Sequence, residues 1–407
     1  MPSTLYLDTA RLGRISSSAQ QTHLEFVRLA AEEPSSLYFE EFLCSGYSAW
    51  PDSYQDRFPA LSSWPGIDGL KTRLKQLAGG HASSQVMIAS RSAELMTLAA
   101  RVLCKTCRSI LTTDFNWPTY QLILQHEARR SGNPFQVAQF RASVLRHRMP
   151  PDELVARIVR EFVSHNCDGL FLPAVDNWGI RLPITEIVTA IRRQAPLRFV
   201  VVDAAQAVAH VPIDDCLSVA DFTIAGCHKW LRGYFPLGIG FFGQPNSAAF
   251  IADMAGSMLA KGELDDGLLR FCTQLTTADL DGYSETVNLG PLFSCCGALE
   301  DALKTDGESP GGLAEQRTNA AFVCHIARHS HWRPLAPQDA FRTGILLLEH
   351  RPSSGRIIDS EAVRRHFQDR GILATGYEGG LVRLSMPKRA FSKQDRCLLR
   401  QVLRNCA

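Results

Sequence analysis

The sequence has no long apolar run, no block of like charge and no low-complexity tract. No apolar segment approaches the roughly 18 residues that a membrane-spanning helix requires. The 43 basic and 41 acidic residues are nearly balanced and scattered, which argues against nucleic acid or an anionic membrane as a partner. The first residues show neither the basic nor the apolar region of a secretory signal, so we expect a cytoplasmic protein.

Nucleotide-binding and metal-binding signatures are also missing. No Gly-x-Gly-x-x-Gly turn follows the first predicted strand, and there is no Walker sequence. Without a secretory signal, the 12 cysteines are best interpreted as reduced, mostly buried residues. Cys104 and Cys107 have redox-motif spacing, but no second pair or nearby histidine completes a metal site. We therefore predict no metal centre.

Apolar residues make up 45% of the 407 residues, enough for a large core and a second, smaller domain. From residue 84 to residue 227, short β-branched runs alternate with helical patterns, which predicts an α/β fold with a mainly parallel sheet between helices. A seventh strand is predicted just beyond. The predicted strands are Gln85–Ile88, Ser109–Thr112, Phe135–Phe140, Gly169–Pro173, Arg198–Val202, Asp221–Ala225 and Gly238–Phe242.

Three regions are predicted along the chain. Residues 1–80 form an arm and helices packed on the core, and residues 81–310 form the large domain. A stretch rich in Gly and Pro at 306–312 marks the start of a small α+β domain over residues 311–407. There the predicted elements are Ala314–His329, Thr343–Leu348, Ser360–Asp369, Leu381–Ser385 and Lys393–Asn405.

Polar residues follow two of the predicted strands directly. Asp203 ends one apolar strand, and Lys229 comes shortly after another. Ligands of open α/β sheets gather at the carboxyl ends of strands, so the two side chains are expected to share a pocket. A lysine amine that holds an aldehyde as a Schiff base, and an acid that keeps a ring nitrogen protonated, are what pyridoxal 5'-phosphate (PLP) requires. We therefore predict a PLP site, with the cofactor covalently attached to Lys229.

Neighbouring residues extend this prediction. Gln206, three residues after Asp203, can donate to the phenolic oxygen of the ring. His228 and Lys229 lie on a turn whose glycines permit close approach of the backbone. Taken singly, Asp203 fits a helix-capping acid and Lys229 a solvated surface lysine; the pair at two strand ends favours the cofactor site.

The pattern Asp-x-x-Gln followed by His-Lys-Trp-Leu-x-Gly-x-x-x-x-Gly-x-Gly resembles that of class V aminotransferases, which are fold-type-I PLP enzymes. Cysteine desulfurases and isopenicillin N epimerase-like proteins belong to this family. The resemblance extends more loosely from Leu5 to the C-terminus. It implies a large PLP domain, a small C-terminal domain and a homodimer with active sites at the interface.

Further cofactor-binding residues follow from this resemblance. Ser90, Arg91 and Ser92 stand where the family binds the phosphate, at a helix start whose free N–H groups suit an anion. An N-capping serine is the structural alternative there. Trp117 occupies the position of the residue that stacks on the ring, although a packed core tryptophan is equally compatible. His228 resembles the family's phosphate-side residue.

Two more segments resemble the family's partner and substrate sites. Thr286 matches a threonine that reaches the phosphate of the neighbouring subunit, and Glu285 replaces the glycine usual before it. That carboxylate either alters the loop or faces a substrate cation. Arg383 matches the arginine that holds the substrate carboxylate, a group that a guanidinium binds with two hydrogen bonds.

The sequence identifies the cofactor better than the reaction. Cysteine desulfurases carry a nucleophilic cysteine shortly before the C-terminal arginine strand, and this chain has none between Cys324 and Cys397. We therefore favour an enzyme of specialised metabolism that acts on an amino acid or its derivative through a Cα or Cβ carbanion. Racemisation, transamination, elimination or replacement, and carbon–carbon bond formation remain open. C–S cleavage of the desulfurase or lyase type and a non-catalytic PLP-fold binding protein are the alternatives.

Overall fold

A computed structural model describes residues 4–33, 40–79, 85–277, 286–306, 311–351 and 358–404. A seven-stranded sheet lies at its centre, in the order β2-β8-β7-β6-β5-β3-β4. β8 runs antiparallel to both of its neighbours, and the other four pairings are parallel. The strands are β2 (Gln85–Ala89), β3 (Ile110–Thr113), β4 (Phe135–Ala138), β5 (Gly169–Pro173), β6 (Phe199–Asp203), β7 (Phe222–Gly226) and β8 (Gly238–Phe242). The predicted α/β fold with a mainly parallel sheet is confirmed.

Both faces of this sheet are covered, because its strands are apolar at successive positions. In β6, Val200 and Val202 belong to one hydrophobic cluster while Phe199 and Val201 belong to another. Side chains alternate between the two faces of a strand, so the two clusters lie on opposite sides of the sheet. Helix α5 covers one side with the apolar stripe expected from its sequence, which consists of Leu95, Leu98, Ala99, Val102 and Leu103.

Sixteen helices are found among the described residues. Several begin as their sequences predict; α8 starts at Pro151 and has Asp152 and Glu153 in its first turn. The helices are α1 (Ser17–Glu32), α2 (Glu40–Ser45), α3 (Asp52–Arg57), α4 (Gly66–Leu77), α5 (Ser92–Thr106), α6 (Pro118–Ser131), α7 (Arg141–Arg146), α8 (Pro151–Ser164), α9 (Ile184–Arg192), α10 (Asp214–Val219), α11 (Pro245–Ala260), α12 (Gly267–Thr277), α13 (Gly290–Asp306), α14 (Gly311–Ala327), α15 (Ser360–Gln368) and α16 (Lys393–Arg404).

The C-terminal region contains a separate antiparallel sheet in the order β12-β13-β10-β9. Its strands are β9 (Trp332–Leu335), β10 (Ile345–His350), β12 (Thr375–Tyr377) and β13 (Leu381–Ser385). Arg383 lies in the middle of β13, opposite Leu347 of β10 and Thr375 of β12. β9 and β12 have no counterpart among the elements predicted from the sequence.

The N-terminal residues reach this C-terminal region. Strand β1 (Leu5–Tyr6) pairs in parallel with β11 (Ile372–Leu373), and Leu5 and Leu7 are buried in the hydrophobic cluster of the small sheet. The start of the chain is therefore anchored to its last quarter. No helix in the described part of the chain is both long and apolar enough to cross a membrane.

Candidate active site

Lys229 lies on the turn that follows β7. Gly13 packs so closely on this turn that a Cβ atom there would come within 2.0 Å of the Lys229 carbonyl oxygen. Burial lowers the pKa of the Lys229 amine to about 8; the carboxylate of Asp203 opposes that shift and the charge of Arg383 adds to it. Asp203, Lys229 and Arg383, which were predicted as site residues from separate segments, therefore lie close enough for their charges to interact.

Asp203 is the last residue of β6 and is buried, with 6% of its surface exposed. β6 and β7 are parallel neighbours, so their carboxyl ends bring Asp203 to the same edge of the sheet as Lys229. Burial raises the pKa of Asp203, whereas Lys229 and a 2.8 Å hydrogen bond donated by the Ala205 N–H favour its charged form.

His228 is held neutral beside this pair. Burial, with a smaller contribution from the charge of Lys229, lowers its pKa to about 4. Its Nδ1 atom is buried and has no hydrogen-bond partner among the described residues. A buried nitrogen without a partner is costly, so this atom is suited to a group that the protein itself does not supply.

The side chain of Gln206 is buried, and both its amide nitrogen and its amide oxygen are hydrogen-bonded. Its Nε2 donates to the Ala10 carbonyl at 2.7 Å, and its Oε1 accepts from the Trp230 Nε1 at 2.8 Å. His210 stacks on Trp230 with 3.7 Å between ring centroids. An amide nitrogen carries two hydrogens, so one remains for the predicted bond to the cofactor.

Helix α5 begins beside this edge without a side-chain cap. β8 starts against it, because a Cβ atom on Gly238 would lie 2.6 Å from the Arg91 carbonyl. The Ser90 N–H and hydroxyl both donate to Asp266, at 2.9 and 2.6 Å, while the side chain of Arg91 is exposed and pairs with Glu94. Ser92 and the helix end are thus the better anion site in this predicted segment.

Tyr120 links this helix end to Asp203. Its phenol is buried and hydrogen-bonded to Ser92, and burial together with the charge of Asp203 raises its pKa.

Trp117 precedes α6 with 41% of its surface exposed, so it is not a core residue of the described chain. Thr286 is exposed, and Glu285 lies outside the described residues.

Arg383 is nearly inaccessible, at 3% exposed, although it carries a charge. Its Nη1 donates to the Asn177 carbonyl at 3.1 Å and its Nη2 to the Thr375 hydroxyl at 3.3 Å, with Asp8 3.7 Å away. Asp8 also accepts a hydrogen bond from Thr375. The Nε of Arg383 is buried and has no partner among the described residues. That N–H is suited to an incoming carboxylate oxygen.

Residues 8–16, here called the N-terminal segment, connect the two sides of the site. The Ala10 N–H donates to Ser385 of β13 at 2.9 Å, and the Gly13 N–H donates to the His228 carbonyl at 2.7 Å. The Ser16 N–H donates to the Arg232 carbonyl at 3.1 Å. The lysine turn and the Arg383 strand are therefore fixed to one short stretch of backbone.

Several residues at the site were missed by the sequence analysis. Asn177 lies in a polar stretch just after β5, a signal of the kind that identified Asp203. Asp8 and Thr375 carry no such local signal, because they reach the site only through the pairing of distant strands. His210 lies four residues after Gln206 and contacts its carbonyl.

These residues fit PLP. The uncapped start of α5 suits a phosphate, the Asp203 carboxylate suits a protonated ring nitrogen, and the Lys229 amine suits an aldehyde. Two buried nitrogens, His228 Nδ1 and Arg383 Nε, have no hydrogen-bond partner among the described residues. The Arg383 N–H can donate to a carboxylate, and His228 Nδ1, which donates or accepts according to its tautomer, can bond a group of the cofactor.

Comparison with known proteins supports the same assignment. Residues 65–263 match the family model described as aminotransferase class-V. No curated protein matches the chain. Solved structures with a similar fold include the cystine C–S lyase C-DES with its product cysteine persulfide (14% identity, TM-score 0.69, 100% of this chain and 99% of that one).

Two further similar structures have other activities in their names. The ureidoglycine-glyoxylate aminotransferase of Bacillus subtilis is 14% identical with a TM-score of 0.65, over 99% of this chain and 92% of that one. The cysteine desulfurase CsdA of Escherichia coli is 15% identical with a TM-score of 0.68, over 98% and 93%. At such identities the likeness shows the fold. Residues 65–263 thus match the class V aminotransferases, a family of PLP-dependent enzymes, and the chain as a whole has the fold of the fold-type-I structures.

Proposed function

We propose that the chain binds PLP covalently at Lys229 and acts on an amino acid or amino-acid-derived substrate at its Cα or Cβ atom. The observation that carries this proposal is the coupling of three groups, since the charges of both Asp203 and Arg383 act on the Lys229 amine. An amine and a carboxylate at one edge of the large sheet, with a guanidinium from the small sheet near them, are what the cofactor aldehyde, the ring nitrogen and a substrate carboxylate need.

Each cofactor-side residue has a definite role in this proposal. Asp203 holds a proton on the ring nitrogen, Gln206 donates its free amide hydrogen to the phenolic oxygen, and Trp117 covers the ring. Ser92 and the first N–H groups of α5 hold the phosphate, with His228 beside them. When bound, PLP withdraws electrons from the substrate carbon, so that a bond to that carbon can break.

Arg383 orients the substrate. Its Nη1 and Nη2 already bond to Asn177 and Thr375, so a carboxylate approaches the Nε side. Lys229 would hold the cofactor and, with a substrate bound, its amine would move a proton at the substrate carbon. With a pKa of about 8 its amine exchanges protons near neutral pH, as a general base should.

The choice of reaction rests on cysteine chemistry. Cys227, next to the lysine turn, is fully buried and its thiol donates to the Phe235 carbonyl at 3.1 Å, which does not suit a mobile nucleophile. We therefore propose carbanion chemistry without a persulfide, in specialised metabolism.

We also propose a homodimer in which the exposed residue Thr286 contacts the cofactor of the neighbouring subunit. Within each subunit we propose a large domain at 81–310 and a small domain at 311–407.

The test is the absorption of the purified protein reconstituted with PLP. We expect a visible band that resists dialysis and is made permanent by borohydride, with one pyridoxyl group on Lys229 by peptide mapping. Lys229→Ala should abolish the band, while Lys261→Ala, which removes an exposed lysine after α11, should keep it. An unchanged band in Lys229→Ala, or none in the wild type, contradicts the proposal.

A further inference from the structure

Arg141 is a second arginine at the edge of the sheet that holds the site. It is the first residue of α7, shortly after β4, and only 14% of its side chain is exposed. Its Nε lies 3.2 Å from Asp176 Oδ2, its Nη2 donates to Asn177 Oδ1 at 3.0 Å, and its guanidinium lies 4.6 Å from the ring centre of Trp178. One side chain therefore contacts three consecutive residues after β5.

These three residues form a tight turn held from both sides. Asp176 Oδ1 accepts from the Trp178 N–H at 2.9 Å and from the Ile180 N–H at 2.7 Å. Gly179 has a φ of +93°, and a Cβ there would lie 2.6 Å from the Cβ of Ile345 in β10. The far side of the turn is thus packed on the small sheet, and its near side is fixed by Arg141.

Asn177 connects this turn to the substrate anchor. Its side-chain oxygen accepts from Arg141, and its main-chain oxygen accepts from Arg383 Nη1 at 3.1 Å. Arg141 therefore binds the side-chain oxygen of Asn177, and Arg383 binds its main-chain oxygen. Asp176, which is fully buried, balances the charge of Arg141, so the two guanidinium groups are tolerated close together.

We propose that Arg141 is a positioning residue that orients Asn177, so that Arg383 presents its free Nε to the carboxylate of the substrate. The inference rests on the proposed function and deepens it, because it names a residue that acts on the substrate anchor without touching the substrate. Arg141 reaches its two neighbours through different nitrogens: its Nη2 donates to Asn177 Oδ1, whereas its Nε and Asp176 Oδ2 lie 3.2 Å apart as an ion pair without hydrogen-bond geometry. Lysine has one nitrogen and cannot do both with the same geometry.

The first test compares two ligands that differ in the carboxylate, L-alanine and ethylamine. Each is titrated into the PLP-loaded protein while the cofactor absorption is followed. In Arg141→Gln we expect the half-saturating concentration of L-alanine to rise about tenfold and that of ethylamine to change less than twofold. Arg141→Lys should fall between. Arg157→Gln, which breaks an exposed pair with Glu153, is the control and should match the wild type.

The second test needs no cofactor. Crystal structures of the wild type and Arg141→Gln without PLP are compared at Asn177 and Arg383, and in the variant we expect their separation to exceed about 3.5 Å. Retention of the contact, or equal weakening of L-alanine and ethylamine, overturns the inference. A wild type without a cofactor band contradicts the proposed function instead, and the crystallographic comparison still decides the role of Arg141.

Discussion

The two sheets of this protein place their polar site residues in different ways. In the seven-stranded sheet, Asp203 and Lys229 lie where buried apolar strands end, so the strand interiors stay apolar. In the four-stranded sheet, Arg383 lies within a strand whose five residues are all buried. A charge in that position needs partners from elsewhere, and Asn177, Thr375 and Asp8 provide them. The cofactor side thus depends on local strand geometry, whereas the substrate side depends on assembly of distant segments.

The largest effect is expected from removing the charge on the cofactor side. Asp203→Asn keeps the shape of the side chain but cannot stabilise a protonated ring nitrogen, so we expect kcat to fall roughly 10²–10³-fold. It also removes the carboxylate that raises the Lys229 pKa, which should then drop below about 8. Steady-state kinetics of the PLP-loaded protein measure the first effect, and the pH dependence of amine modification at Lys229 in the PLP-free protein measures the second. Asp253→Asn, at an exposed site on α11, should change neither.

A smaller effect, on substrate binding and not on PLP affinity, is expected from a change on the substrate side. Arg383→Lys keeps a positive charge but loses the fork, at a cost of about 2 kcal/mol in carboxylate binding, or roughly 30-fold. The half-saturating concentration of L-alanine should rise by that factor while PLP affinity is unchanged. Arg365→Lys, on the exposed face of α15, is the matched control. If PLP affinity fell as much as L-alanine binding, the two sides of the site would not be separable.

The smallest effect concerns the connection between the sheets. His210 Nδ1 contacts the Gln206 carbonyl at 2.7 Å, and its Nε2 accepts from the Gly344 N–H, just before β10, at 3.0 Å. Burial lowers its pKa to about 3, so the unfolded chain takes up a proton at this residue near pH 6.5 and the folded protein does not. Below that pH the folded state loses up to about 1.4 kcal/mol per pH unit.

His210→Gln removes this proton uptake together with the ring contact to Trp230. We expect the variant to be less stable at pH 7.5 by about 1–2 kcal/mol, and the difference to vanish and then reverse as the pH falls towards 4.5. Urea unfolding at several pH values measures it, with His165→Gln at the surface as the control. A difference that stays constant with pH contradicts the assignment of a neutral His210.

The same contrast explains how much of the molecule could be predicted from its sequence. All seven strands of the large sheet were predicted to within two residues at each end. Five of them, β3 and β5–β8, are buried at every position and are short, largely apolar runs. Asp203 and Lys229 followed from those strands, and their placement together agrees with the prediction. Their chemical roles, like those of Ser92, Trp117 and Thr286, stay predictions.

Other features depended on contacts between distant parts of the chain. β9 and β12 are short, and Asp8 and Thr375 meet Arg383 only after β1 has paired with β11 and β12 with β13. No local pattern marks such contacts. The use of the Ser90 N–H and hydroxyl by Asp266, 176 residues away, was likewise invisible in the sequence.

The pairing of β1 with β11 has a consequence for the order of events during synthesis. Leu5 and Tyr6 are made before the whole seven-stranded sheet, whereas their partners Ile372 and Leu373 are made after it. Until then the N-terminal segment can contact the lysine turn and Gln206, but Asp8 lacks both Thr375 and Arg383. All strands of the large sheet thus precede the substrate anchor in the chain, and the anchor is complete only after residue 383 has been made.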